Sequence, residues 1–220
     1  MSSAELYVRS LSLGPMKNLV YLLGAADAPE VAVIDPAWDV GAVLRAAQED
    51  GKTVVCAIAT HGHRDHINGL PELLAYRSVP VYAQRIELEG TPALQQLGAA
   101  VRPVDPGGKI AVGPLSVTAL HGPGHTPGSQ CLWCGDVVFS GDILFVNGCG
   151  RCDFPESDPS AMFHTLREVL GGLPDKTQLF PGHDYGDIPV SSLGRERERN
   201  PYLQFENEAD FVAYRMRPRT

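Results

Sequence analysis

The sequence predicts a mixed α/β (α+β) protein forming one domain over residues 1–220, on three observations. Short apolar, partly β-branched runs alternate with segments of helical periodicity. Nearly every run stops at a glycine, a proline or an aspartate. No linker or low-complexity stretch divides the chain, and its length suits one substantial core.

Residues 6–11, 19–23 and 31–34 read as early strands, punctuated by Gly14-Pro15, Ala28-Pro29 and Asp35-Pro36. Asp39 stands where a helix N-cap belongs. Val40, Val43, Leu44 and Ala47 follow on one face, and Gly51 ends the helix. Residues 54–60 are a continuous apolar run, expected as a buried strand. Residues 67–77 are expected as a short helix with Leu70, Leu73 and Leu74 on one side. Residues 115–120, 130–133 and 137–140 are strand-like. Asp158-Pro159 starts a helix, with a capping carboxylate and proline at its first position. Its stripe of Met162, Phe163, Leu166, Val169 and Leu170 belongs in the core. Residues 178–180 are a last short strand and 206–215 a last helix. The alternating signs of residues 195–199 predict a solvated helix face or local ion pairs.

The chain is 44% hydrophobic and 20% charged, which argues against disorder. Acidic residues outnumber basic ones by 26 to 18, so no nucleic-acid partner is expected. No basic segment precedes a long apolar one at the N-terminus, and no run approaches the ~18 apolar residues of a membrane span. A cytoplasmic protein with no membrane partner is expected. Five cysteines, an odd number in a chain with no secretory signal, argue against a disulfide framework. Four of them pair as Cys131 with Cys134 and Cys149 with Cys152, near the spacing of a zinc ribbon. Residues 130–133 read as a strand, however, and positions three apart on a strand face opposite ways.

Residues 61–66 read His-Gly-His-Arg-Asp-His, directly after the buried run. Three imidazoles and a carboxylate at a strand end are donors for zinc, iron or manganese. Without a cation between them they are hard to desolvate. Three further segments place a donor after a strand beside glycine or proline: His121-Gly122-Pro123-Gly124-His125-Thr126-Pro127-Gly128, Ser140-Gly141-Asp142 and Pro181-Gly182-His183-Asp184-Tyr185.

In this order these motifs resemble the metallo-β-lactamase superfamily, and within it the glyoxalase II-like branch. The resemblance implies a four-layer αββα sandwich with metals at the edge where two sheets meet. Carried over by motif, one metal takes His61, His63 and His125. The other takes Asp65, His66 and His183, and Asp142 bridges both. Two zinc ions are the implied cofactors; one iron(II) or a mixed zinc/iron pair is the alternative. Two ions ~3.5–4 Å apart share a water and lower its pKa, giving a bridging hydroxide that attacks the carbonyl. Asp65 is expected to hold its metal and orient that nucleophile, with Asp142 as the other catalytic residue.

The implied substrate is a small-molecule or carrier-bound thioester, either hydroxyacylglutathione-like or an acyl group on a pantetheine arm. Full-length glyoxalase II carries a C-terminal helical domain that this chain is expected to lack, and its glutathione-contacting tyrosine corresponds to Leu132 here. Gly148-Cys149-Gly150-Arg151-Cys152-Asp153-Phe154 with Asn200-Pro201-Tyr202-Leu203 is similar to small bacterial hydrolases of this branch. The same segment resembles persulfide dioxygenases. There one iron would use His61, His125 and Asp142, and Arg151 would bind a substrate carboxylate; a structural salt bridge is the other reading of Arg151. His121 is either a supporting hydrogen-bonder or a plain strand end, and His164 a surface or packing residue.

Overall fold

The computed structural model describes residues 5–217. Its first sheet orders β1 (Leu6–Leu13), β2 (Asn18–Ala25), β3 (Glu30–Ile34), β4 (Thr53–Ile58), β5 (Val81–Gln84) and β6 (Val101–Val104). Neighbours are antiparallel up to β3 and parallel beyond it. In the second sheet, β7 (Lys109–Val112), β8 (Leu115–His121), β9 (Gln130–Cys134) and β10 (Val137–Gly141) are antiparallel neighbours. After a small hairpin of β11 (Leu144–Phe145) and β12 (Gly148–Cys149), β13 (Gln178–Pro181) joins β10 in parallel and β14 (Ser191–Ser192) forms the edge.

Alternation along the strands sorts the apolar residues into three cores. Leu23, Ile34 and Ile58 of the first sheet meet Val117, Phe139 and Phe180 of the second in the central layer. The opposite face, with Val20, Val33 and Ala57, packs under α1 (Val40–Glu49) and its neighbours. The far face of the second sheet, with Val138 and Leu179, packs on α6 (Pro159–His164) and α8 (Glu208–Arg215). This is the expected αββα sandwich. In β4 one extra residue opposite the step from Val31 to Ala32 lets Val55 and Cys56 both turn inward, and the strand then leads into the histidine motif.

Capping followed the sequence. Asp39 accepts from Ala42 N, and Asp158 from Ser160 N and Ala161 N. The helix expected over 67–77 is two, α2 (Arg64–Ile67) and α3 (Leu70–Tyr76), because Asn68-Gly69 interrupts it. The helix from Pro159 continues as a π-helical turn over Thr165–Val169. Cys131 packs in the outer core and Cys134 in the central one, so β9 points the pair to opposite faces and builds no ribbon. All five cysteines are buried thiols. No helix among the described residues is long and apolar enough to cross a membrane.

The charged stretch is not merely solvated. It forms most of α7 (Leu193–Arg199), and Glu196 within it is fully buried. Glu196 accepts from Ser191 Oγ (2.6 Å), Asn147 N (2.7 Å), Arg195 (2.9 Å) and Asn200 Nδ2 (3.0 Å). Arg197 reaches the carbonyls of Leu170 (2.9 Å) and Leu173 (2.7 Å), closing the preceding helical segment. Glu196→Ala strands those donors in the core and is expected to cost roughly 3–5 kcal/mol, read as a lowered urea midpoint. An unchanged midpoint would deny Glu196 this structural role.

His164 joins α6 to α8, pairing with Glu168 (2.9 Å) and Glu208 (3.1 Å). The hydrogen bonds to Glu168 and Glu208 raise its pKa above the ordinary 6.5. The tie is therefore complete below that value and fades as pH rises through the folded one. His164→Gln should lower Tm more at about pH 6 than at about pH 9 by calorimetry. Equal losses at both would sink the assignment.

Candidate metal centre

The donors sit where strands of both sheets end. β4 delivers His61, His63, Asp65 and His66, β8 leads to His125, β10 to Asp142 and β13 to His183. The structure brings all seven predicted side chains together. His61, His63 and His125 form one group, and Asp65, His66 and His183 another, with ligand atoms within 4.8 Å of one another in each. Asp142 lies between: Oδ1 is 3.2 Å from His66 Nε2, while Oδ2 is 3.4 Å from His183 Nε2 and 3.5 Å from His125 Nε2.

Partners on the far side of each ring fix its tautomer. His66 Nδ1 donates to Asp35 Oδ2 (2.8 Å), His125 Nδ1 to the Arg151 carbonyl (2.8 Å) and His183 Nδ1 to the Met16 carbonyl (2.8 Å). Thr60 Oγ1 donates to Asp35 Oδ2 (2.7 Å), so it accepts from His61 Nδ1 (3.1 Å). His63 is turned the other way, with Nε2 on Glu156 (3.2 Å) and Nδ1 facing inward. Five imidazoles thus aim their unprotonated nitrogens at one another. His63 Nδ1 and His125 Nε2 are 2.9 Å apart, and His66 Nε2 and His183 Nε2 3.1 Å. Facing lone pairs repel at such distances unless positive charge sits between them. His61 Nε2 and Asp142 Oδ1 are buried without a hydrogen bond, as donors awaiting an ion would be; the 3.2 Å approach of Oδ1 to His66 makes none in angle. The residues fit a metal.

Electrostatics agree. Burial holds His61 well below the ordinary imidazole range and lowers His125 too. Burial opposes charge on His66 and His183, but Asp142 outweighs it and raises both. The Asp142 carboxyl stays well below its usual range, since His66 foremost overcomes the effect of burial. Ligation by His66 and His183 therefore requires the proton that Asp142 favours on each to leave.

Sequence reasoning missed the supports. Asp35, expected only as a strand stop, is buried with φ 51° and accepts from Thr60 N, Thr60 Oγ1 and His66. Asn18 donates to Asp65 Oδ2 (2.9 Å) and is held by Trp38 Nε1 (2.9 Å). Neither Asp35 nor Asn18 lies in a donor motif, and no pattern in the sequence marks either. His121 is outside the centre and donates to the Pro127 carbonyl (2.8 Å). Leu132 is fully buried in the central core, away from any ligand. Beside the donors opens a cleft of ≈ 440 Å³ walled by Met16, Phe145, Phe154, Tyr185 and Tyr202. Arg151 stands on its wall, paired with Asp153 through two 2.8 Å contacts, with its guanidinium 4.4 Å over Phe154.

An αββα sandwich with two joined donor groups at one edge defines a class of metalloprotein. The chain belongs to the metallo-beta-lactamase superfamily, whose family model matches residues 13–183. It is 26% identical to the probable polyketide biosynthesis zinc-dependent hydrolase BaeB of Bacillus velezensis, over 91% of this chain and 88% of that one. It is 32% identical to the mitochondrial persulfide dioxygenase ETHE1 of Bos taurus, over 96% and 81%. The crystal structure of ETHE1 from Myxococcus xanthus superposes with a TM-score of 0.86 at 31% identity, covering 97% of this chain and 92% of that one. Its relatives thus include metal-dependent hydrolases and dioxygenases.

Asp142→Ala is expected to abolish metal retention at both groups, and Asp35→Asn to weaken affinity ~10–100-fold, as supporting contacts commonly do. Elemental analysis after dialysis and chelator competition measure these; full retention in Asp142→Ala would remove it from the centre.

Proposed function

We propose that this protein is a metal-dependent hydrolase with a dinuclear centre that cleaves thioesters of a small molecule or a pantetheine-type carrier. The observation carrying the reading is that both donor groups are complete and share Asp142. Bound divalent ions would supply a water of lowered pKa and a Lewis acid for the carbonyl. His61, His63 and His125 would hold one ion and Asp65, His66 and His183 the other.

The chain's own residues then do the positioning. Asp65 Oδ2, steadied by Asn18, is placed to orient the attacking water and accept its proton. The aromatic wall of the cleft suits an apolar acyl group or the stem of a carrier arm. A thiolate leaves without a strong general acid, so a thioester asks no proton of that wall.

A second reading has its own support. The 32% identity to a persulfide dioxygenase over 96% of this chain favours one iron held by His61, His125 and Asp142, with Arg151 meeting a substrate carboxylate. One experiment separates the two. Protein purified without added metal is analysed for zinc and iron, then assayed for thiol release from acyl-pantetheine thioesters and for oxygen uptake on glutathione persulfide. Two metals per chain with thiol release is the expected outcome. One iron with oxygen uptake and no thiol release would overturn the hydrolase in favour of the dioxygenase.

A further inference from the structure

The short helix α4 (Arg85–Gly90) carries a side chain outside every motif and outside the cleft wall. Glu87 is 5% exposed. Its Oε1 accepts from Gly62 N (2.6 Å), and its Oε2 accepts from Thr126 Oγ1 (2.8 Å) and Gly128 N (2.9 Å). Gly62 lies between His61 and His63, and Thr126 follows His125. One carboxylate therefore fastens the two loops that supply the three imidazoles of one donor group. A Cβ on Gly62 would collide with Thr91 and Glu87, and one on Gly128 with the α4 backbone at Glu87. Both glycines are the room this seat needs. The helix itself is anchored by Gln84, whose side chain caps Ile86 N.

We infer that Glu87 is a positioning residue for metal binding. It sets the spacing between the His61–His63 loop and the His125 loop, and with it the affinity of that donor group. The Asp65, His66 and His183 group has supports that Glu87 does not touch, Asn18, Asp35 and the Met16 carbonyl, of which Asp35 also reaches His61 through Thr60. Glu87 touches no donor side chain among the contacts above, so its effect passes through backbone. The inference rests on the metal centre of the proposed function, not on its substrate. It holds for one metal or two, since His61 and His125 serve both readings.

The test compares wild type, Glu87→Ala and Glu87→Gln by zinc affinity, using competition with a chromophoric chelator, and by thermal melting of the metal-free protein. Glutamine accepts at one oxygen only and turns an N–H toward either Gly62 N or Gly128 N, so it releases one loop. Glu87→Ala is expected to lose ~10–100-fold in affinity for one zinc equivalent while the other stays within about twofold, with Glu87→Gln between. Asp35 stands behind His66 and, through Thr60, behind His61, so Asp35→Asn should weaken both equivalents. A lowered Tm with zinc affinity unchanged in both variants would overturn the inference and leave Glu87 a purely structural clasp. Should Glu87→Ala not fold, Glu87→Gln decides alone: unchanged affinity overturns. A wild type that binds one zinc refutes the dinuclear reading only, and Glu87 is then judged by the loss at that single site.

Discussion

The facing lone pairs of five imidazoles are the constraint around which this molecule is arranged. A neutral imidazole has one donor and one acceptor nitrogen, and which is which depends on the partner outside. Here a partner takes the outer proton of each ring: Thr60, Glu156, Asp35, the Arg151 carbonyl and the Met16 carbonyl. Four of those partners lie 26 to 167 residues from the ring they hold, and Thr60 adjoins His61. With those partners kept and no cation present, acceptor nitrogens face one another beside Asp142. The fold therefore holds a centre whose geometry already presupposes positive charge.

Both sheets own part of that centre, so the distance across it is a property of the core between them. His61 to His66 belong to the first sheet, and His125, Asp142 and His183 to the second. Tyr21, Phe139 and Phe180 pack together in that layer, with ring centroids 5.1–5.5 Å apart. Tyr21 then donates to the Pro181 carbonyl (2.7 Å), two residues before His183. A close-packed interior is stiff, and this aromatic cluster sets the gap that the donors must span. Packing and chemistry meet at one hydroxyl.

The legible parts of the sequence were those whose cause is local. Strands with clean β-branched runs, caps at Asp39 and Asp158, and the donor motifs all rest on neighbours within a few residues. β5, β6 and β7 went unread: each is four residues long with no donor motif after it to mark its end, and β6 carries a proline at the sheet's edge. Asn18, Asp35 and Glu87 were invisible for a different reason. Their partners lie 20 to 47 residues away, and several are backbone groups that leave no pattern in sequence. Glu196 shows the other side: alternating charge predicts a solvated face or local ion pairs, and Arg195–Glu196 is such a pair, but the carboxylate itself is buried and ringed by four donors.

Donor inventory is common to hydrolytic and oxygen-dependent readings, so discrimination passes to the cleft. A glutathione-type substrate brings carboxylates that call for free cationic groups. Arg151 is the cation on the cleft wall, and Asp153 already engages its guanidinium through two contacts while Phe154 covers one face. Asp153 uses two of the five guanidinium N–H groups, on one edge, so a substrate carboxylate at the other edge would share Arg151 with Asp153. Asn147, the amide on the same wall, already donates to Asp187 (2.8 Å). The wall therefore offers a half-engaged cation beside aromatic faces, and an anionic and an uncharged thiol derivative would differ in whether they use that edge.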